Sequence, residues 1–284
     1  MRSVGKSAES GSVKVMIKIF EYIGSFVLSF KSGYMSVLVA MGEMGLMLFH
    51  GLRLALTPPL KIRNLFKQFE FVGVNSVFVV VLTGLFTGMV LAYQSYNALK
   101  RYGAESMVGP MVALSMAREL GPVLTGLMVA GRAGSGMATE LGTMRVTEQI
   151  DALETMSVNS IKYLVSPRLL AGLLMMPLLT ITVIFIGVTG GYIVGVKLLG
   201  INSGLYIDLT TSIAQVDDIF YGLKKSLVFG LIISLSACYY GYNTTGGAEG
   251  VGRSATNAVV MGCVLILIFN YLLTSIMESG GIFK

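Results

Sequence analysis

The sequence is short of charge. Charged residues make up 13% of its 284 residues, whereas about a quarter of the residues in a soluble globular protein are charged. Hydrophobic residues make up 54%, and the mean hydropathy is +0.76. This composition excludes a soluble globular protein and predicts an integral membrane protein. The net charge of +6 then indicates basic residues held against anionic lipid headgroups, and it does not imply nucleic-acid binding.

The sequence also has few residues of the kinds that catalyse reactions or bind metals. Cys238 and Cys263 lie far apart in apolar runs, and His50 is expected to be a polar residue at the membrane interface. Gly-Lys-Ser at 5–7 lacks the upstream glycine of a phosphate-binding loop, and GRAGSG at 131–136 has no preceding strand. We therefore expect no catalytic residue, no metal site and no cofactor bound by this chain. Its function must lie in moving or holding something in the membrane.

Five apolar stretches are long enough to cross a bilayer, which takes about 20 apolar residues of helix. Three basic residues between positions 61 and 67 precede the first stretch, and such residues favour the cytoplasmic side. The loops 143–168 and 243–256 are then cytoplasmic, and the C-terminus is outside. Four basic residues do not follow this preference for the cytoplasmic side, because they fall on the outer side. They are Lys100, Arg101, Lys224 and Lys225. The predicted spans are 71–93, 120–142, 168–196, 225–242 and 257–278.

The first 67 residues are expected to form a region of their own. Lysines interleave with apolar residues over 12–30, which is typical of a helix lying at the membrane interface, and 35–56 predicts a short interfacial elbow. No apolar core followed by a small-residue cleavage site occurs there, so we expect no cleaved signal peptide. The sequence thus predicts an amphipathic region over 1–67 and a transmembrane domain over 68–284.

The second predicted span contains a series of small residues with a spacing of four. In a membrane, such a series lets another helix approach closely and gain dispersion contacts. The spacing alone leaves open whether the partner is a neighbouring span of the same chain or a second copy. The series consists of Gly126, Ala130, Gly134, Ala138 and Gly142.

The same stretch, ARELGPVLTGLMVAGRAGSGMATELG at 117–142, also carries charge. Charges inside a membrane are costly and usually face protein or a water-filled cavity. Arg118 and Glu119 are therefore candidates for a functional site, the alternative being a mutually neutralising pair that holds helices together. We expect Gly121-Pro122 to break the helix, which would place Glu119 at a helix start where the dipole favours it. For Arg132 and Glu140 we expect contacts between helices or subunits.

The loop after this span predicts a short amphipathic helix. Ile150, Leu153 and Met156 recur at helical spacing, and Thr147 is expected to cap the helix with Glu148 in its first turn. Two explanations of the apolar stripe remain open. The helix either docks into a groove on another protein or lies on its own bundle.

Several segments together resemble the MlaE-type permeases of ABC lipid transporters, which work with MCE-domain proteins. The resemblance rests mainly on 111–172, which contains RELGP, GRAGS and EQIDALETM, and it runs from about residue 33 to the end. GLFTGMVLAYQ at 84–94, GVTGGYIVGV at 187–196, KKSLVFG at 224–230 and GRSATNAVV at 252–260 support it.

The resemblance implies a multi-pass protein of the bacterial inner membrane that acts as a homodimer. Its implied partners are two cytoplasmic ABC ATPase subunits, which bind ATP and Mg²⁺, a periplasmic MCE-domain protein and a lipid substrate. A small regulatory STAS-like subunit on the ATPase is left open. The fold implied is all-α, with about five transmembrane helices behind an amphipathic N-terminal region and a short cytoplasmic coupling helix.

The resemblance also implies roles for particular residues. The coupling helix would contact the ATPase through Glu148, Asp151, Leu153, Glu154 and Met156, and Ser157 stands where related importers carry glycine. A lipid cavity would be lined by Leu91, Leu99, Tyr102, Arg118 and Glu119. Two other classes remain as alternatives. One is an ion-coupled transporter or channel that uses Glu119 as a protonatable group, and the other is a scaffold that only anchors partners.

Overall fold

The computed structural model describes residues 39–55, 57 and 62–279, and all regular structure within these residues is helical. The expected elbow region contains helix α1, residues 39–55, whereas the interfacial helix predicted over 12–30 lies outside the described residues. The chain divides into two units, 1–46 and 47–284. The helices of the larger unit after α1 are α2 (Ile62–Val72), α3 (Val77–Leu99), α4 (Val108–Ser115), α5 (Gly121–Val129), α6 (Ser135–Val146), α7 (Gln149–Thr155), α8 (Ser166–Tyr192), α9 (Ser203–Ile213), α10 (Val216–Tyr242) and α11 (Gly247–Ser279).

The predicted all-α membrane fold is confirmed. Short π-helical or 3₁₀ turns join consecutive helices, so that five continuous helical segments are long and apolar enough to cross a membrane. Each contains one predicted span and extends beyond it, because the helices continue into polar residues that an apolar run does not include. The five spans are Ile62–Tyr102, Glu105–Val146, Ile161–Leu198, Val216–Tyr242 and Gly247–Ser279.

Helix α8 packs against α3 on one flank and α10 on another, and both crossings are made by glycine pairs. A Cβ atom added to Gly88 of α3 would lie 1.9 Å from the carbonyl oxygen of Gly187 in α8. A Cβ added to Gly230 of α10 would lie 2.2 Å from the carbonyl oxygen of Gly172 in α8. The obstructing atoms are backbone atoms, which cannot rotate away. These crossings bring the helices to backbone contact, which is how helices gain dispersion contacts in a lipid environment.

The small residues of the second span face α10 and α11 of the same chain. All five residues of the series are buried. A Cβ added to Gly126 would lie 3.2 Å from Ile266 of α11, and one added to Gly142 would lie 2.8 Å from Thr244, just after α10. Ala138 lies against Gly241 of α10. The structure therefore places the series in packing within one chain.

The helix break expected at Gly121-Pro122 is wrong. The second span continues through both residues, and Gly121 has helical backbone angles (φ −56°, ψ −58°). Proline removes one backbone donor and so deprives the carbonyl four residues earlier of its partner. The π-helical turn Met116–Leu120 lies immediately before α5 and shifts the hydrogen bonding locally. The helix thus passes Pro122 without ending, and the carbonyl of Arg118 becomes available to another donor.

Candidate functional site

Arg118 is anchored on a carboxylate of α10. Its Nε lies 2.6 Å from Oδ1 of Asp218, whose side chain is 6% exposed, whereas the Arg118 side chain is 47% exposed. The other oxygen of Asp218 accepts from the backbone N–H of Gln215 at 2.9 Å, within a capping box at the start of α10. Asp218 is therefore held by its own helix end, and it leaves part of the guanidinium accessible.

Glu119 is paired with a different residue of α10. Nζ of Lys225 lies 2.7 Å from Oε1 of Glu119, and the Lys225 side chain is fully buried. The ammonium also donates to Oγ1 of Thr274 at 2.7 Å and to the Arg118 carbonyl at 3.2 Å. A lysine ammonium has three donors, and all three are used. The Arg118 carbonyl is the one that Pro122 deprives of its helical partner, so the proline supplies an acceptor that the buried lysine needs.

The remaining members of this group come from α10 and α11. Asn270 donates from Nδ2 to Oε2 of Glu119 at 3.1 Å. The Tyr221 ring lies beneath both cations, with its centroid 5.5 Å from Cζ of Arg118 and 4.8 Å from Nζ of Lys225. We call this group the charge network; it consists of Arg118, Glu119, Asp218, Tyr221, Lys225, Asn270 and Thr274.

The network corrects three sequence interpretations. Arg118 and Glu119 do not neutralise each other, since each pairs with its own partner on α10. Glu119 does not lie at a helix start, because the helix continues through Pro122. Lys225 does not begin its span, because α10 begins nine residues earlier at Val216 and buries Lys225.

Sequence reasoning missed the α10 and α11 members, although spacing offered a signal. Asp218 and Lys225 are seven residues apart, which is about two helical turns and places both on one face. Asn270 and Thr274 are four residues apart in an otherwise apolar span, so they also share a face. Neither pattern identifies its partner, because the partners lie 100 residues away for Asp218 and 151 residues away for Asn270 along the chain.

The apolar residues predicted for the lipid cavity are spread along the first span. Leu91 lines an open groove together with Leu120, the neighbour of Glu119. Leu99 is partly buried in the core, and Tyr102 is 84% exposed at the end of the span. The structure thus places Leu91 in a groove shared with Leu120 and leaves Tyr102 at the surface. The other residues of the groove are Phe86, Thr87, Val90 and Gln94.

The short helix predicted in loop 143–168 is α7, but its cap is wrong. Thr147 donates its hydroxyl to the carbonyl of Thr143 at 2.8 Å and so remains with the preceding helix. The residue before α7 is Glu148, which has a left-handed backbone (φ 59°). Ser157, after α7, also has φ 59°. Glycine adopts this conformation most readily, so the position where related importers carry glycine keeps a glycine-like backbone here.

The apolar stripe of α7 divides between two environments. Ile150 is fully buried against its own chain, Leu153 is partly buried, and Met156 is 64% exposed. Asp151 pairs with Arg145 of α6 at 2.5 Å. The helix therefore rests on its own bundle through one residue and presents another to solvent.

Glu154 connects α7 to residues far along the chain. Its Oε1 lies 2.9 Å from Oγ of Ser160 and 2.9 Å from the hydroxyl of Tyr242, the last residue of α10. These two hydrogen bonds, that of Ser160 first, lower the pKa of Glu154, and the positive charge of Arg145 adds a smaller contribution. Glu154 is thus held as a carboxylate.

Arg132 and Glu140 both make contacts between helices of this chain. Arg132 donates to the carbonyl of Phe71 at the end of α2 and lies over its ring, with Cζ 5.0 Å from the centroid. Glu140 of α6 pairs with Nη2 of Arg168 in α8 at 2.7 Å. Among the residues that the structure describes, no group of three or more His, Cys, Asp or Glu side chains could hold a metal ion.

Fold and site together define a class of protein. It is a multi-pass α-helical membrane protein whose buried charges are paired across helices. Arg118 and Glu119 lie in the second span, and α7 follows the C-terminal end of that span. The family described as "Permease MlaE" matches residues 65–276. The chain therefore belongs to the MlaE permease family.

Individual relatives support this assignment. A probable ABC transporter permease protein of Rickettsia bellii is 52% identical over 77% of this chain and 85% of the relative. The intermembrane phospholipid transport system permease protein MlaE of Haemophilus influenzae is 39% identical over 85% of this chain and 93% of the relative. The chloroplastic protein TRIGALACTOSYLDIACYLGLYCEROL 1 of Arabidopsis thaliana is 40% identical over 77% of this chain and 63% of the relative.

Proposed function

We propose that this chain is the permease subunit of an ABC transporter that moves phospholipid, or a related lipid, between the bacterial inner membrane and a periplasmic MCE-domain partner. A separate cytoplasmic ATPase subunit hydrolyses ATP, and two copies of the permease form the transport unit. Membership of the MlaE family supports the permease role, and the phospholipid transport named for the Haemophilus relative supports the substrate class.

The observation that carries the substrate class is the setting of Arg118. Its guanidinium is half exposed, is oriented by the buried Asp218, and lies within an apolar span. Leu120, two residues after Arg118 in the chain, lines an open groove together with Leu91. A guanidinium binds phosphate through paired hydrogen bonds, and an apolar groove suits acyl chains. This combination suits an amphipathic molecule with an anionic headgroup, and Glu119, held by Lys225 and Asn270, would fix the wall of the site.

Replacing Arg118 with alanine is expected to lower ATP-dependent phospholipid transfer about tenfold or more, because one charge-assisted phosphate contact is lost. The measurement uses the permease with its ATPase in proteoliposomes and follows a fluorescent phospholipid to an acceptor MCE-domain protein. Arg101→Ala is the matched control, since Arg101 is exposed at the end of the first span. Equal transfer by Arg118→Ala, Glu119→Ala and wild type would remove both residues from the site. Transfer that follows a proton gradient without ATP would favour an ion-coupled carrier.

The contact between α7 and the ATPase is tested at Met156. Replacing Met156 with aspartate is expected to reduce co-purification of the ATPase about tenfold, because an exposed apolar side chain that packs into a groove would become charged. The measurement is the ATPase-to-permease ratio after affinity purification. Gln149→Asp, at the other end of α7, is the control for added charge alone. An unchanged ratio for Met156→Asp would exclude Met156 from the interface.

A further inference from the structure

We propose that Glu154, Ser160 and Tyr242 form a latch that ties α7 to α10, and that α10 transmits the movement of α7 to the charge network. We call these three residues the α7–α10 latch. The inference rests on the proposed function, since it assumes that an ATPase moves α7. It adds a positioning role for Tyr242 and Ser160, whose hydroxyls lie against Glu154 of α7.

The latch is a closed triangle of polar atoms. Oγ of Ser160 and the hydroxyl of Tyr242 each lie 2.9 Å from Oε1 of Glu154, and they lie 2.9 Å from each other. A carboxylate only accepts hydrogen bonds, and each hydroxyl has one proton to donate. Ser160 is 4% exposed, so its position is set by packing. Two protons make two hydrogen bonds among these three contacts, so removing either hydroxyl leaves Glu154 with one donor from this group.

The residues that flank α7 have an unfavourable backbone conformation, which the latch helps to hold. Glu148, immediately before α7, and Ser157, two residues after it, both have a left-handed backbone (φ 59°). Left-handed backbone at residues other than glycine costs free energy and persists where surrounding contacts hold it. Two contacts serve this purpose: the Arg145–Asp151 ion pair ties α7 to α6, and the latch ties it to α10. The latch bonds directly to the last residue of the helix that carries Asp218 and Lys225, and Arg145 also lies over the Tyr242 ring, with Cζ 5.8 Å from the centroid.

Helix α10 is suited to carry a displacement over its whole length. It runs for 27 residues, Val216–Tyr242, as one uninterrupted α-helix, whereas the second and third spans each contain two π-helical turns. Lys225 lies 17 residues before Tyr242, about 25 Å along the helix axis. A shift of α7 that displaces Tyr242 therefore also displaces Asp218 and Lys225, because α10 bends little between them. These two residues hold Arg118 and Glu119, so the shift would alter the lipid site itself.

The test replaces Tyr242 with phenylalanine, which removes one hydroxyl and keeps the ring. In proteoliposomes that contain the permease and its ATPase, the number of fluorescent phospholipids transferred per ATP hydrolysed is expected to fall about tenfold, while the ATPase still co-purifies. Ser160→Ala should lower the same ratio. Tyr240→Phe, two residues earlier in α10, is the matched control and should keep the wild-type ratio. An unchanged ratio for both Tyr242→Phe and Ser160→Ala would overturn the latch.

A second measurement separates failure of the latch from failure of the proposed function. Amide hydrogen exchange of the permease alone in nanodiscs needs neither ATPase nor lipid transfer. Exchange across 149–157 is expected to rise about tenfold in Tyr242→Phe and to stay unchanged in Tyr240→Phe. Equal exchange in all three proteins would show that the latch does not hold α7. A wild-type complex that transfers no phospholipid with ATP would instead refute the proposed function, and with it the transmission that the latch serves.

Discussion

Replacing Lys225 with methionine will lower the free energy of unfolding by about 3 kcal/mol. Breaking a buried ion pair costs about 3–5 kcal/mol because one charge is left without its partner. The low end applies here, since water can still reach the Glu119 side chain, which is 38% exposed. The substitution also removes the donor to Thr274 and to the Arg118 carbonyl. Unfolding by SDS in mixed micelles, followed by far-ultraviolet circular dichroism, measures the change.

The ion pair can be separated from general packing by a double-mutant cycle. Glu119→Gln combined with Lys225→Met should cost about 1–3 kcal/mol less than the sum of the two single changes, because the charge stranded by each single change is absent from the double variant. Lys224→Met is the control, since Lys224 is the exposed neighbour, and its effect should stay within about 0.5 kcal/mol. Additive single changes would contradict the pairing of Glu119 with Lys225.

Replacing Gly88 with alanine will destabilise the bundle by about 3 kcal/mol or more. The added methyl group would lie 1.9 Å from the Gly187 carbonyl oxygen and 2.8 Å from its Cα atom, so α3 and α8 must separate. Overpacking of this kind costs about 1–3 kcal/mol and sometimes more, and here the obstacle is backbone. The same SDS unfolding measurement applies.

The control for Gly88→Ala is a glycine-to-alanine substitution at a position where an added methyl group meets no other atom. A Cβ added to Gly131 meets no atom within 4 Å, so Gly131→Ala should be neutral or stabilising by up to about 1 kcal/mol from helix propensity alone. Similar destabilisation by the two substitutions would show that helix propensity, and not the crossing of α3 and α8, governs the result.

The spans and α7 could be predicted because they depend on local pattern. An apolar run of about 20 residues crosses a bilayer whatever its neighbours are, and apolar residues at helical spacing indicate α7 without knowledge of its partner. The candidate site was predictable only in part. Arg118 and Glu119 stand out because charge is rare in a span, whereas Lys225 stands at the predicted start of a span, and its burial inside α10 is visible only in the structure.

The local rules failed where a distant residue supplied the missing partner. Proline predicts a helix break on local grounds, yet the chain accommodates Pro122 through a π-helical turn, and Lys225 takes up the carbonyl released four residues earlier. Threonine before an acidic residue predicts a cap, yet Thr147 bonds back to α6, and α7 is held instead through Glu154 by Tyr242, 88 residues away.

Hydropathy and residue spacing are enough to predict a helical membrane protein of five spans, with charge inside the second span and a short amphipathic helix after it. These properties follow from hydropathy and spacing along one segment. Only the tertiary structure decided which charges pair, which glycines bring helices into backbone contact, and which helix end α7 touches. The ion pairs of Arg118 and Glu119, the contact of Gly88 with Gly187 and the hydrogen bonds of Tyr242 join residues about 80 to 110 positions apart, and their energies come from contacts that exist only when the helices are packed.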